Sequence, residues 1–257
     1  MLLPVAAPLL LAAVAFAMGD QRRRPRVLLA GAGLHALAVA GFWIRPPAPA
    51  LDGWLALDAP GKLVLSVTSA LFLVCAVYAQ GYLARRADRD NRVFVGGLLV
   101  LLGAMTAVSL AQHLGLLWVA IEITTLATAP LIYFNHPARS LEATWKYLLV
   151  CSLGIALALL GTFFLALSSA GPGGPHTLLV RDLAAAGPAL SRPWVRAAFV
   201  FLLAGYGTKM GLVPFHSWKP DAYGEAPGLL GAILSGGVTN LAFLALMRVL
   251  QVCSAAG

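Results

Sequence analysis

Residues 114–130, LGLLWVAIEITTLATAP, are apolar throughout except for Glu122 and the threonines on the turns that follow. A charged side chain in the middle of a membrane-spanning helix costs at least about 2.5–3.5 kcal/mol, so it normally faces a bundle interior and has a partner and a function. Residues 204–225 supply the expected partner, since Lys209 lies there in another apolar run, which Pro214 interrupts. An acid and a base inside the membrane on separate helices are the parts of a proton relay.

The composition extends this interpretation to the whole chain. Of its 257 residues, 60% are hydrophobic and 11% are charged, whereas a soluble domain has about 25% charged residues. Apolar stretches of about 18 or more residues recur from end to end, which predicts an all-α, polytopic membrane protein and not an outer-membrane barrel. Because no large polar segment separates these stretches, an active site built on a soluble domain is excluded.

The hydrophobic runs predict eight membrane-spanning helices, at about residues 2–19, 27–44, 62–84, 93–112, 115–134, 143–168, 196–215 and 227–250. Residues 1–17 precede their arginines, whereas a signal peptide has its positive charges first, so we expect this segment to be retained as the first helix. The connections 45–61 and 169–195 are rich in Pro and Gly, and the second is too polar to span. We expect Trp54 to anchor the first at the outer interface, and the second to contain a short surface helix near residues 178–186.

The basic residues lie in short connections between the spans, where they set the orientation of the helices. Loops 20–26 and 85–92 carry four arginines each and loop 135–142 carries Arg139, whereas the alternate connections are poorer in positive charge. We therefore expect the arginine-rich loops on the cytoplasmic side of a bacterial-type inner membrane, with both termini outside. The net charge of +8 is explained in this way and does not indicate nucleic-acid binding.

The three cysteines, Cys75, Cys151 and Cys253, lie inside apolar runs. They show neither a CxxC pattern nor metal-ligand spacing, so we interpret them as small core residues. The chain also lacks a Gly-rich phosphate loop and a pair of histidines at helical spacing. We expect no catalytic site for soluble chemistry, no metal site and no cofactor in this chain.

Glu122 and Lys209 are the main candidates for proton transfer. Burial disfavours the charged form of either group and a neighbouring opposite charge favours it, so both groups can be tuned to exchange protons. Glycines on both sides of Lys209 allow neighbouring backbones to approach closely. The alternatives are that Glu122 is a structural cap or pair, and that Lys209 extends to an interface.

The break at Pro214 is the next candidate feature. Proline removes an intrahelical hydrogen bond, and broken helices at membrane depth usually line a cavity or an ion path. His216 follows the break and is a candidate to pass protons between water and Lys209; the alternative places it in a loop at the cytoplasmic end. We expect Asp221 and Glu225 to form a solvated mouth that collects protons.

Lys146 lies near the start of the sixth span, four residues after Glu142, which is the favourable order for an ion pair on a helix surface. We favour that structural pair; the alternative makes Lys146 a bridge between Glu122 and Lys209. The polar residues of the eighth span are expected to pack helices and not to line a chain of waters: Ser235, Thr239 and Asn240.

Three stretches carry a resemblance to a known family: residues 118–134 (WVAIEITTLATAPLIYF), 140–162 (SLEATWKYLLVCSLGIALALLGT) and 207–227 (GTKMGLVPFHSWKPDAYGEAP). Together they resemble the antiporter-like, proton-conducting membrane subunits of respiratory complex I, of Mrp-type cation/proton antiporters and of membrane-bound hydrogenases related to complex I. The WKYLL and PFHSWKPDA sequences look most like the hydrogenase-4 and formate-hydrogenlyase type. The resemblance covers about residues 55–250.

The resemblance implies roles for individual residues. Family members carry a glutamate on the fifth helix and a lysine on a broken seventh helix, which match Glu122 and Lys209 here. They also use a lysine or histidine on the eighth helix, where this chain has Ser235, and this departure weakens the implied proton path without excluding it. A leucine is typical of the position where this chain has Lys219.

The resemblance also implies a domain division. Family members have three leading helices followed by two inverted five-helix repeats; this chain corresponds to the leading helices, residues 1–92, and to the first repeat, residues 93–257. We expect a proton-translocating membrane subunit of a complex I-like or hydrogenase-like redox complex. Its second half would belong to a longer protein or to another membrane subunit. Two alternatives stay open: a subunit of an Mrp-type antiporter, and a structural anchor that has lost pumping.

Overall fold

A computed structural model of the chain describes residues 1–135, 137–171 and 173–257. Over these ranges the fold is all α-helical, as predicted, with three isolated β-bridges and no strand. The helices, in chain order, are α1 (Leu3–Ala17), α2 (Arg24–Ile44), α3 (Ala59–Ala84), α4 (Arg92–Leu110), α5 (Leu114–Ile132), α6 (Ala138–Ser169), α7 (Val180–Ala185), α8 (Arg192–Met210), α9 (Trp218–Glu225), α10 (Gly228–Ile233) and α11 (Thr239–Ala256).

Eight helical segments correspond to the predicted spans: α1 to α6, α8, and α10 continued by α11. Six are long and apolar enough to cross a membrane, namely α2 to α6 and the segment Gly228–Ala256. Of the other two, α1 is apolar but has 15 residues, and α8 carries Arg192, Arg196 and Lys209 within its 19 residues. The prediction of a polytopic helical membrane protein is confirmed, and the short predicted surface helix corresponds to α7.

The core is organised around α4, in which almost every residue from Phe94 to Leu110 is buried. α1 and α5 both pack against α4, and α2 packs against α3. The buried His35 of α2 ties three helices together, because its Nδ1 lies 2.9 Å from the Ser69 hydroxyl of α3 and its Nε2 lies 2.8 Å from the Thr106 hydroxyl of α4. Neutral imidazole bonded at both nitrogens satisfies the polar group at little cost in an apolar core.

Close contact between α6 and α8 positions the candidate site. A Cβ atom on Gly205 of α8 would lie 2.6 Å from the backbone nitrogen of Ala158 on α6, and one on Gly154 of α6 would lie 2.6 Å from Cβ of Thr208. Such distances leave no room for a side chain, so glycine at both positions lets the two backbones touch. This contact holds the last turn of α8 against the middle of α6.

The predicted break in the seventh span is present. α8 ends at Met210 because Gly211 adopts a left-handed backbone conformation (φ +82°), which favours glycine at a helix end. The helix therefore ends earlier than the predicted boundary at residue 215. Pro214 follows in the connection, after a cis peptide bond, and α9 begins at Trp218. In the eighth span a π-helical turn, Leu234–Val238, joins α10 to α11.

A buried arginine fastens the last helix to the core. Arg248 of α11 is 1% exposed, and its guanidinium donates to three carbonyls at the end of α4 over distances of 2.6–2.9 Å. It also donates to Asp58 Oδ1 at 2.9 Å, and Asp58 in turn accepts from the backbone N–H of Gly61 as the N-cap of α3. Unpaired carbonyls at a helix end carry partial negative charge, so a cation there is stabilising.

Candidate functional site

Lys209 is the centre of the candidate site. Its side chain is 1% exposed, in the last turn of α8, and its Nζ donates to the Thr125 hydroxyl of α5 at 2.8 Å and to the Tyr147 hydroxyl of α6 at 2.7 Å. The ammonium also lies 4.8 Å from the centre of the Tyr147 ring. Three helices therefore converge on one buried amine whose two protein partners are hydroxyl groups, each able to accept one proton and donate another.

Glu122 lies on α5, one turn before Thr125, so that both side chains occupy the same helix face. Its carboxyl group is in polar contact with Thr125 and with Ser152 of α6, and it attracts the Lys209 ammonium electrostatically. Across the described residues the two charges do not form an ion pair within 4.0 Å. Thr125 therefore stands between the acid and the base.

One oxygen of Glu122, Oε2, is buried and has no hydrogen-bond partner among the described residues. Leaving a buried polar atom unpaired costs free energy, so native structures contain few such atoms and each one calls for an explanation. An unpaired acceptor beside a buried ammonium and a bridging hydroxyl is suited to receive a proton, and less suited to hold helices together.

Side chains from α9 clamp the end of α8 on both sides of Lys209. The buried Trp218 donates from Nε1 to the carbonyl of Thr208 at 3.0 Å, and Lys219 donates from Nζ to the carbonyl of Met210 at 2.8 Å. These carbonyls belong to the last turn, whose oxygens have few partners within the helix. The clamp fixes the backbone that carries Lys209, although the helix is interrupted immediately after it.

Lys146 lies on the surface and not in the buried site. Its Nζ forms the predicted pair with Glu142 Oε1 at 2.7 Å, and a second ion pair with Asp221 Oδ2 of α9 at 2.8 Å. This cluster lines an open cavity of about 320 Å³, together with Arg139 and Glu225. The next residue of α6, Tyr147, points inward to Lys209, and the Trp218 ring packs against it edge-on at 5.2 Å.

The remaining sequence candidates are placed as follows. His216 is exposed in the connection after the break, as is Pro214, and among the described residues the Lys209 amine donates to Thr125 and Tyr147 and not to His216. Ser235 is also exposed and donates to the carbonyl of Ala232 at 3.2 Å, within its own helix. Thr239 lies 3.4 Å from the Tyr223 hydroxyl of α9, so this residue links the eighth span to the broken seventh span.

Sequence reasoning missed the two hydroxyl partners of Lys209. Thr125 was one of several threonines with nothing to distinguish it, although its position three residues after Glu122 was a usable signal. Tyr147 follows Lys146, which drew attention to the charge and away from the neighbouring ring. Within the described ranges, no group of three or more His, Cys, Asp or Glu side chains could hold a metal ion.

The chain is thus a polytopic helical membrane protein with a partly buried acid, Glu122, and a buried base, Lys209, on separate helices, and the base lies beside a helix break. Residues 111–257 match the family described as "NADH:quinone oxidoreductase/Mrp antiporter, TM", which is more than half of the chain. The chain belongs to this family.

Two relatives illustrate the sequence similarity. Hydrogenase-4 component F homolog of Methylacidiphilum infernorum is 34% identical over 200 residues, which cover 75% of this chain and 42% of that protein. NADH-quinone oxidoreductase subunit N 2 of Acidobacterium capsulatum is 31% identical over 246 residues, which cover 92% of this chain and 48% of that protein. The chain thus spans less than half the length of these relatives.

Solved structures share the fold. A chain of the membrane-bound sulfane sulfur reductase, an archaeal respiratory membrane complex, has a TM-score of 0.85 at 20% identity over 96% of this chain and 52% of its own length. A chain of the Mrp complex from Dietzia sp. has a TM-score of 0.81 at 24% identity, over 96% of this chain and 47% of its own length. The arrangement of helices described above is therefore shared by proteins of very different sequence.

Proposed function

We propose that this chain is a proton-translocating part of a membrane subunit in a complex I-like or hydrogenase-like redox assembly, in which Glu122 and Lys209 exchange protons through the Thr125 hydroxyl. The observation that carries the proposal is the buried Lys209 ammonium, bonded to Thr125 at 2.8 Å, with a carboxyl group of unsatisfied hydrogen-bonding capacity on the other side of that hydroxyl. Buried ionisable groups inside the membrane usually mark such a path.

The surface cluster is the proposed entrance to this path. Asp221 and Glu225 line a polar cavity and attract protons, while Lys146 is held there by two carboxylates. In this arrangement Lys146 couples the cavity electrostatically to the buried site, and Tyr147 and Trp218 separate the two. His216, exposed beside the break, is proposed as a second point of proton exchange with water.

The domain division and the orientation are part of the same proposal. Residues 1–92 are taken as leading helices and residues 93–257 as one five-helix repeat, with the arginine-rich connections on the cytoplasmic side of a bacterial inner membrane. A second repeat, in a longer protein or in another membrane subunit, completes the path on the other side. No redox cofactor is assigned to this chain.

Two other functions have an observation in their favour. The structural similarity to the Mrp complex favours a subunit of a cation/proton antiporter. The exposed Ser235, at the place where the resemblance leads one to expect a basic residue, favours a structural anchor that does not pump.

One experiment separates these three functions. The chain is extracted gently from its native membrane with its partner proteins, the partners are identified by mass spectrometry, and the assembly is sealed into vesicles that carry a pH-sensitive dye. The proposal predicts proton movement that requires an electron donor. Proton movement driven by a sodium or potassium gradient without a donor would indicate the antiporter, and electron transfer without any proton movement would indicate the anchor.

A further inference from the structure

The arginine-rich end of the molecule contains a cavity between the beginning of α2 and the end of α3. Its volume is about 320 Å³. The lining is part apolar and part polar: the apolar residues are Pro25, Leu83, Ala84 and Ala87, and the polar residues are Gln21, Arg22, Gln80 and Asn91. A cavity with this division, at the end of two membrane-spanning helices, lies where the headgroup and the first methylene groups of a lipid meet.

The amide groups of the cavity wall are already used within the protein. Gln21 donates to the carbonyl of Ala87 at 2.9 Å, and Asn91 donates to the carbonyl of Gln21 at 2.9 Å. Gln80 donates to the carbonyl of Pro25 at 2.6 Å. These bonds join the α1–α2 connection to the α3–α4 connection, so the cavity is built by fixed backbone and not by a loose loop.

The Arg22 guanidinium, in contrast, has no hydrogen bond or ion pair among the described residues. Arg26, four residues after Arg22, and Arg85, directly after Ala84, are also exposed. Their side chains likewise have no hydrogen bond or ion pair among the described residues. The nearby acids are engaged elsewhere, since Asp20 pairs with Arg23 and Asp90 pairs with the buried Arg24. Arg22 lines the cavity, and Arg26 and Arg85 directly follow its lining residues Pro25 and Ala84 in the chain, so three positive charges at this end have no ion pair among the described residues.

The surface next to the cavity suits an acyl chain. Further along α3, towards the middle of the helix, three large apolar side chains are mostly exposed: Val74, Val77 and Tyr78. Clusters of Lys and Arg at the ends of membrane-spanning helices attract anionic lipids, and pockets of this kind bind their headgroups.

We propose that this cavity binds the headgroup of an anionic phospholipid, with the phosphate held by Arg22, Arg26 and Arg85 and the acyl chains lying along α3. Arginine suits this role because its planar guanidinium donates two parallel hydrogen bonds to a phosphate. The site is separate from the proton path and does not depend on it.

The test uses the whole chain, with any partner subunits that accompany it, in phosphatidylcholine vesicles that contain a photoactivatable phosphatidylglycerol. After illumination, the lipid adducts are located by peptide mass spectrometry. We expect adducts in residues 20–26 and 74–91, and a loss of these adducts by roughly tenfold or more in the triple variant Arg22→Gln, Arg26→Gln, Arg85→Gln. The control triple variant Arg45→Gln, Arg192→Gln, Arg196→Gln removes the same charge from the opposite end and should keep the adducts.

Two further measurements keep the test decisive. A photoactivatable phosphatidylcholine should label these residues weakly, and equal labelling by both lipids would overturn the proposal. Inorganic phosphate at concentrations that leave the vesicles intact should not displace the lipid; full displacement would show a site for a free anion and not for a headgroup. If the triple variant does not fold, Arg22→Gln alone should reduce the labelling, and equal losses in the two triple variants would show diffuse attraction without a site.

Discussion

Replacing Thr125 with valine tests the proposed proton path at the hydroxyl between Glu122 and Lys209. Valine keeps the shape of threonine but removes the hydroxyl that accepts from Lys209 at 2.8 Å and contacts Glu122. Hydrogen bonds to charged groups contribute about 1.5–3 kcal/mol. Since about 1.36 kcal/mol corresponds to a tenfold change in rate, transfer through this position should slow by about 10- to 150-fold if the whole loss falls on the transfer step.

The assay is proton uptake by sealed vesicles that contain the native assembly, measured with a pH-sensitive dye and divided by the rate of electron transfer. The Tyr147 hydroxyl accepts from Lys209 at 2.7 Å in the wild type and is not altered in Thr125→Val, so the amine should stay in place. Thr124→Val is the matched control, because this buried hydroxyl donates at 2.6 Å to the Ile121 carbonyl of its own helix. Wild-type proton uptake in Thr125→Val, or equal losses in both variants, would refute the bridging role.

Three further predictions concern the scaffold. Lys219→Met removes the bond to the end of α8 and should lower stability by about 1 kcal/mol, seen as an earlier thermal transition in detergent, whereas Lys219→Arg should restore most of it. Arg248→Met removes the donor to three carbonyls and the ion-pair partner of Asp58, which still accepts from the Gly61 N–H, and should cost about 3 kcal/mol in the same measurement; adding Asp58→Asn should recover part of that loss. The backbone N–H of Arg92, helped by a neighbouring guanidinium, holds the pKa of Asp90 below its usual value, so this contribution to stability is present above about pH 4 and is lost as the pH falls through the folded-state pKa. Thermal transitions measured against pH should show that acid-side loss in the wild type and a smaller loss in Asp90→Asn.

The sequence was sufficient to predict the helical architecture, because membrane-spanning helices correspond to long apolar runs in the sequence. The sequence also singles out Glu122 and Lys209, since a single charge in such a run is conspicuous and costly, and their role in proton transfer stays a prediction. The break was predicted from Pro214, yet the structure ends the helix at Met210 because Gly211 takes the left-handed conformation. Local sequence therefore predicts the existence of a helix break more reliably than the residue at which the helix ends.

The contacts between helices could not be predicted in the same way. Arg248 is one arginine near the end of an apolar run, and only the folded chain shows that it reaches three carbonyls of α4. Tyr147 and Thr125 are common residues that acquire a role by facing Lys209. Which residues face one another depends on helix rotation and crossing, and the periodicity of one chain does not define these quantities. Lys146 shows that a charge that is conspicuous in the sequence need not belong to the buried site, because this side chain lies on the surface.

If Glu122 carries protons, its loss must change the number of protons moved per electron. The ratio is measured in sealed vesicles for the wild type, for Glu122→Gln and for Asp52→Asn, which removes an exposed carboxylate from the connection before α3. We expect a lower ratio in Glu122→Gln with continued electron transfer, and an unchanged ratio in Asp52→Asn. A wild-type ratio in Glu122→Gln would contradict this role.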